Sequence, residues 1–148
     1  MVNARSTNII RRAGDTYPSK AFIEVNGVPV NLDDWHVDLV YKKPITGTQD
    51  YEEWVINGVI TDHKKGIVNF YPHGRLYNDY KAADYVPLTP SNFIMTGEAG
   101  ANQVWDTNEA SGAYPFYILR WRKFEDNYIE EMTHNVGVVY LSDRYQVS

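Results

Sequence analysis

Apolar and polar residues alternate with a period of two over much of this chain. In Trp35-His36-Val37-Asp38-Leu39-Val40-Tyr41-Lys42, the residues Trp35, Val37, Leu39 and Tyr41 share one face. His36, Asp38 and Lys42 share the other, with Val40 the exception. That pattern predicts a β-strand with one buried side. Lys20 to Val25 is a further apolar run that leads into Asn26-Gly27, with Val28-Pro29-Val30 beyond it. Asn-Gly between apolar runs predicts a tight hairpin, because both residues accept positive φ. Pro29 has no N–H for a ladder, so its strand is an edge or a brief pairing. Glu52 to Ile56 reaches a second Asn57-Gly58, read as another turn, before Val59-Ile60-Thr61. Asp62 to Gly66 is turn-like, and Ile67 to Tyr71 is a strand stopped by Pro72.

Later, Tyr114 to Trp121 is apolar on both faces, which predicts a central strand. Tyr128 to Met132 and Val136 to Leu141 predict two more, with a hairpin turn at Asp126-Asn127 before them. About seven to eight short strands separated by Gly, Asn and Asp turns predict an all-β antiparallel sandwich. No linker or internal repeat divides the chain, so a single domain over residues 1–148 is expected. The rhythm fades between His73 and Gly112, which marks a long, partly irregular insertion over 73–112. Within it Leu76, Tyr80 and Ala83 stand at i, i+4 and i+7, the spacing of a short helix ended by Pro87 and Pro90. An insertion of this kind is a functional loop or an ordered decoration packed on its own sheet.

Composition narrows the classes. Aromatic residues make up 14% of the chain, with 12 Tyr, 4 Trp and 5 Phe, so there is apolar surface enough to fold. The absence of cysteine excludes a disulfide framework, a thiolate zinc site and a cysteine nucleophile. No apolar run reaches the roughly 18 residues of a membrane span, so no membrane partner is expected. Met1 to Ser19 lacks the apolar stretch of a secretory signal. A net charge of −5 argues against nucleic-acid binding, which rests on clustered Lys and Arg. Arg5, Arg11 and Arg12 against Asp15 leave the start of the chain positive, and residues 1–12 are expected to form an extended basic arm docking on an acidic neighbour.

Candidate chemistry is sparse. His36, His63, His73 and His134 are scattered, none four residues from another. No nucleophile elbow, P-loop or dinucleotide fingerprint occurs. The pairs Asp33-Asp34, Glu52-Glu53 and Glu130-Glu131 are adjacent, and neighbours on a strand point to opposite faces, away from a common bond. Asp106-Thr107-Asn108-Glu109 carries oxygen ligands but lacks the glycine and distal glutamate of an EF-hand loop. No catalytic residue, cofactor or metal site is therefore expected. The remaining resource is aromatic: Tyr77, Tyr80, Tyr85, Trp105, Tyr114 and Tyr117 lie in or beside the insertion. Such rings stack on sugars, anchor protein interfaces or fill a core. The expected interface set is Arg5, Arg11, Arg12, Tyr77, Tyr80, Tyr85 and Trp105.

Several runs together carry a family pattern. Ile9-Ile10-Arg11-Arg12-Ala13-Gly14-Asp15-Thr16-Tyr17-Pro18 is followed by Asn26-Gly27-Val28-Pro29-Val30-Asn31-Leu32 and the aromatic strand Trp35 to Tyr41. Downstream come the stretch from Val55 to Phe70 and then Gly112-Ala113-Tyr114. Over about residues 8–71 and 112–141 the chain resembles the N-terminal domain of phage baseplate upper proteins, immunoglobulin-like β-sandwiches of tailed-phage virions. The insertion at 73–112 is longer than that pattern. The resemblance implies a structural component of the virion, in baseplate, neck, tail or capsid decoration, assembled in the host bacterial cytoplasm. It implies contacts with other virion structural proteins, a homo-oligomer or part of a symmetric assembly, and no catalysis. From the aromatics alone, the second expectation is a carbohydrate-binding sandwich with Tyr and Trp platforms, used in host adsorption.

Overall fold

The computed structural model describes residues 5–76, 102–106, 109–124 and 128–145. Among them the fold is all-β and sandwich-like, and it is not a closed barrel. The first strands are β1 (Arg5–Ser6), β2 (Ile9–Arg12), β3 (Ser19–Phe22), β4 (Glu24–Val25) and β5 (Val28–Pro29). The middle of the chain supplies β6 (His36–Pro44), β7 (Tyr51–Asn57), β8 (Val59–Asp62), β9 (Ile67–Phe70) and β10 (His73–Leu76). β11 (Asn102–Gln103), β12 (Gly112–Phe124) and β13 (Tyr128–Ser142) follow. One large sheet runs in the order β1-β13-β12-β6-β7-β10-β11, with β2 also paired to β13. A small sheet in the order β3-β9-β8 lies over it, and β4 and β5 form a separate hairpin.

The alternation read in the sequence builds the space between the sheets. Val37, Leu39 and Tyr41 of β6 point inward with Phe116 and Ile118 of β12 and Val139 of β13, and meet Val68 and Phe70 of the small sheet. Ile23 and Leu32, both at 0% exposure, plug the sides from the connecting segments. As expected of a strand apolar on both faces, β12 is central, between β13 and β6. Asn26 and Gly27 take φ of 52° and 79°, and the hairpin they join is only two residues long on each side, consistent with Pro29.

Other expectations give way to tertiary packing. Asn57-Gly58 is not a hairpin turn: β7 belongs to the large sheet and β8 to the small one, so the chain changes sheets there. A Cβ on Gly58 would stand 2.7 Å from the Val37 carbonyl and 2.5 Å from a Val68 methyl, so only glycine passes this corner. The two strands expected after Tyr128 are one, β13, which absorbs an irregularity opposite Ile118 and Leu119. Phe124 pairs with Tyr128 across that hairpin, whose turn residues 125–127 lie outside the described residues. The insertion is less separate than its composition implies. Its ends supply β10 and β11 to the large sheet and Val104 and Trp105 to the core. Leu76 ends β10 rather than opening a helix, and the other positions of that expected helix lie outside the described residues.

Residues 5–12 are not an extended arm but lie paired on the large sheet. Residues 1–4 lie outside the described residues, and β1 and β2 pair with β13 in parallel, a departure from the all-antiparallel expectation. Thr7 donates its N–H to the Val136 carbonyl at 2.9 Å, and Val138 donates to the Asn8 side chain at 3.2 Å. The backbone at Thr7 comes so close to Gly137 that any Cβ there would collide with the Thr7 carbonyl. Glycine at 137 thus lets the N-terminal edge dock.

Candidate interaction surface

The residues expected to meet a partner divide sharply. Arg11 is 1% exposed: it lies on the inward face of β2, beside Leu141 of β13. Its guanidinium donates to Ser19 Oγ at 3.0 Å, to the Asp15 carbonyl at 3.1 Å and to the Tyr17 carbonyl at 2.7 Å. It lies 4.4 Å from the Tyr17 ring centre and 5.6 Å from that of Trp105. Burial pulls its pKa below the usual arginine value, opposed by attraction to Tyr17 and Asp15. Trp105 is also 1% exposed, tilted against Tyr41 at 5.2 Å, so it is a core residue and not a platform. Both corrections have one cause: an aromatic slot and three oxygen acceptors solvate the guanidinium better than a short edge strand leaves it exposed. Arg12 is half-buried and donates to the Asp143 carbonyl at 3.5 Å, and the Arg5 backbone pairs with Asn135. Tyr77, Tyr80 and Tyr85 lie outside the described residues.

The surface that stands open is one that sequence periodicity assigned to no role: the outer face of the large sheet. Its register makes a grid. Ile10, Tyr140 and Ala113 form one row across β2, β13 and β12. Val138 and Pro115 form the next, and Val136 and Tyr117 the one after that, which continues into the buried Val40 and Val55. Ile10 is 77% exposed, Tyr140 47% and Val136 39%, and Ala113 and Pro115 are exposed beside them. On β6 and β7 the same face carries Lys42 opposite Glu53 and Pro44 opposite Tyr51, the last 60% exposed. Between these strands and β12 runs a groove of about 480 Å³, lined by Val40, Lys42, Pro44, Tyr51, Glu53 and, from β12, Ala113, Pro115 and Tyr117.

Toward the other end, this face is closed. Val40, Val55, Leu119 and Trp121 are buried together there. Among them Asp38 is 2% exposed and accepts from Trp121 Nε1 at 2.6 Å and Asn57 Nδ2 at 2.9 Å. The expectation that Asp38 faces water therefore fails, because this half of the outer face is buried, while His36 is half-buried. A second polar cluster closes the sandwich nearby. Arg120 and Arg122 stack on Trp35, 4.2 Å and 4.4 Å from the ring centre, and Arg122 pairs with Glu130 at 2.9 Å. Arg120 Nε donates to His134 Nε2 at 2.9 Å, which requires a neutral imidazole.

Burial first, and then the Arg120 charge, hold His134 below the ordinary imidazole value, while a backbone hydrogen bond with Glu24 works the other way. Burial lowers His73 too. A base depressed in the folded state is charged sooner in the unfolded chain, so stability rises with pH through this window. Thermal stability should therefore fall as pH drops from about 7.5 through about 6.5, the unperturbed histidine value, and below it. His134→Gln keeps an acceptor for Arg120 and should flatten that slope, leaving the His73 share. An unchanged slope in differential scanning calorimetry would refute the assignment.

Among the described residues no group of three His, Asp or Glu side chains is placed to hold a metal ion, and no helix is long and apolar enough to cross a membrane. Compared with known proteins, the chain matches no family model and no curated sequence.

Proposed function

We propose that this chain is a structural component of a tailed-phage virion, acting through protein–protein assembly contacts made on the outer face of its large sheet. The observation that carries the proposal is the exposed apolar row Ile10–Tyr140–Ala113 with Val138, Pro115 and Val136 beside it. A soluble monomer rarely leaves such a contiguous patch to water, and patches of this kind mark interaction sites. Tyrosine at its centre suits an interface, giving a large contact area with one polar end. The runs that carry the resemblance to baseplate upper proteins support the virion setting, and a cysteine-free chain suits assembly in a reducing cytoplasm. The partners are other virion structural proteins or further copies of this chain. Position within the particle stays at the level of baseplate, neck, tail or capsid decoration.

The face also limits how partners bind. β12 and β6 have both edges occupied, so their backbone groups are spent within the sheet and contact is made by side chains. Sedimentation velocity over a concentration series tests the proposal. The wild-type chain should associate beyond its 17.1 kDa monomer, or bind a co-expressed virion neighbour. Ile10→Asp and Tyr140→Asp, each adding a charge to an exposed site, should weaken association at least tenfold, or about 1.4 kcal/mol, with little change in melting temperature. Association untouched by both substitutions would refute the assignment of this face.

A further inference from the structure

We infer that the groove on β12, β6 and β7 is a binding site for a neutral oligosaccharide, a function beyond assembly at a site that borders the assembly face along Ala113 and Pro115. The ladder register lays its lining out as a grid on one sheet face. Tyr51 stands opposite Pro44 and Glu53 opposite Lys42, and Val40 pairs with Tyr117 at the buried end, where Val55 lies outside the groove. Ala113 and Pro115 complete the β12 column. Tyr51 and Tyr117 thus occupy opposite corners, two strands and four residues apart, a diagonal of about 16 Å. That separation exceeds a single sugar ring and suits a short chain. The volume of about 480 Å³ is in the range of built ligand sites, which combine apolar walls with a few placed polar groups.

The polar groups select the ligand. Lys42 and Glu53 are neighbours across the ladder, yet among the described residues neither makes an ion pair or side-chain hydrogen bond. One ammonium and one carboxylate leave the groove with no net charge, so it favours a ligand with none. The ammonium only donates and the carboxylate only accepts, so the ligand must offer both acceptors and donors at its centre. Sugar hydroxyls do both, and the C–H faces of the rings stack on tyrosine. A proline-rich peptide also fits aromatic-lined grooves, but proline has no N–H, and Glu53 would be buried without a donor. A peptide strand cannot add to the ladder here, because β6 and β12 are paired on both sides.

The test is an array of neutral oligosaccharides built on glucose, galactose and N-acetylglucosamine, followed by calorimetric titration of the strongest binder. Binding is expected for at least one chain of three or more rings. Tyr51→Ala should weaken it about tenfold or more while Tyr51→Phe, which keeps the ring, stays within about threefold. Lys42→Met and Glu53→Gln should each weaken it with the melting temperature unchanged, since both side chains lie outside the core. The Ile10→Asp variant should keep full affinity, so this site and the assembly face succeed or fail separately. An array without binders, or affinity indifferent to Tyr51→Ala, overturns the inference. So does tighter, Tyr51-dependent titration of a proline-rich decapeptide.

Discussion

Replacing Arg11 with methionine should destabilise the protein by about 3 kcal/mol, because a guanidinium at 1% exposure leaves its aromatic slot and the carbonyls of Asp15 and Tyr17 lose their donor. Methionine keeps the aliphatic stem but is shorter than arginine, so the loss combines polar groups left unsatisfied with packing forfeited beside Tyr17 and Trp105. Arg11→Lys should fall between, since an ammonium carries the charge but cannot present the planar fork that reaches Ser19 and both carbonyls. In a domain of this size that loss lowers the melting temperature by roughly 6–12 °C. It should also loosen the edge that Arg11 pins, so amide exchange at Ile9 and Ile10 accelerates more than at Val68 in the small sheet. Buried ionic groups are sometimes replaced by apolar ones at no cost. A methionine variant as stable as wild type would show that Arg11 is such a case, and that the turn from Ala13 to Pro18 holds without it.

Trp105→Ala should cost about 3–5 kcal/mol, the usual range for emptying a large buried aromatic site. Trp105 is 1% exposed, packs on Tyr41, and accepts at its carbonyl from the Gly14 N–H at 2.8 Å. It therefore joins the end of the insertion to the N-terminal turn as well as filling space. Its φ of 55° adds a local cost that the surrounding contacts outweigh. Trp105→Phe should recover much of the loss, since a ring persists against Tyr41. Chemical denaturation resolves these cases. If Trp105→Ala kept full stability but abolished sugar binding, Trp105 would be a binding platform after all.

The same two residues show where sequence ceases to be informative. Trp35 to Lys42 foretold the inward side of β6, because burial of one face imposes a period of two regardless of partner. Asn26-Gly27 foretold its hairpin because positive φ is a local property. Asn57-Gly58 has the same local chemistry and a different outcome, since Val37, Val68 and Phe70 decide that the chain turns into the other sheet. Arg11 read as surface charge because composition does not reveal that Tyr17, Trp105 and three oxygen acceptors converge on it. Asp38 and Val40 sit on the polar side of their strand, yet both are buried, since the sheet is buried on both faces at that end and a single alternation fails there. The candidate surface was the least legible part. Ile10, Tyr140 and Ala113 are scattered along the chain and become one row only through the parallel pairing of β2 and the hairpin of β12 with β13.

The two proposed roles divide the outer face along this grid. On β2 and β13 the exposed Ile10, Tyr140 and Val136 suit a flat protein contact, whereas β12, β6 and β7 hold a groove with Lys42 opposite Glu53. Buried Asp38, with Trp121 and Asn57, ties together the far ends of β6, β12 and β7, the strands that carry the groove. Adsorption and assembly on one face would place a sugar site at the border of a subunit contact.

Hydroxyl-radical footprinting across a dilution series tests the central claim most directly, that the outer face of the large sheet is the working surface. Ile10, Tyr140 and Val136 should be shielded at high concentration, or on adding a virion neighbour, and should regain reactivity on dilution. Phe22 and Val28, exposed on the small sheet and the β4–β5 hairpin, should react equally in both conditions. Shielding of Phe22 and Val28 with Ile10 and Tyr140 left reactive would contradict the account and move the interface to the opposite side of the sandwich.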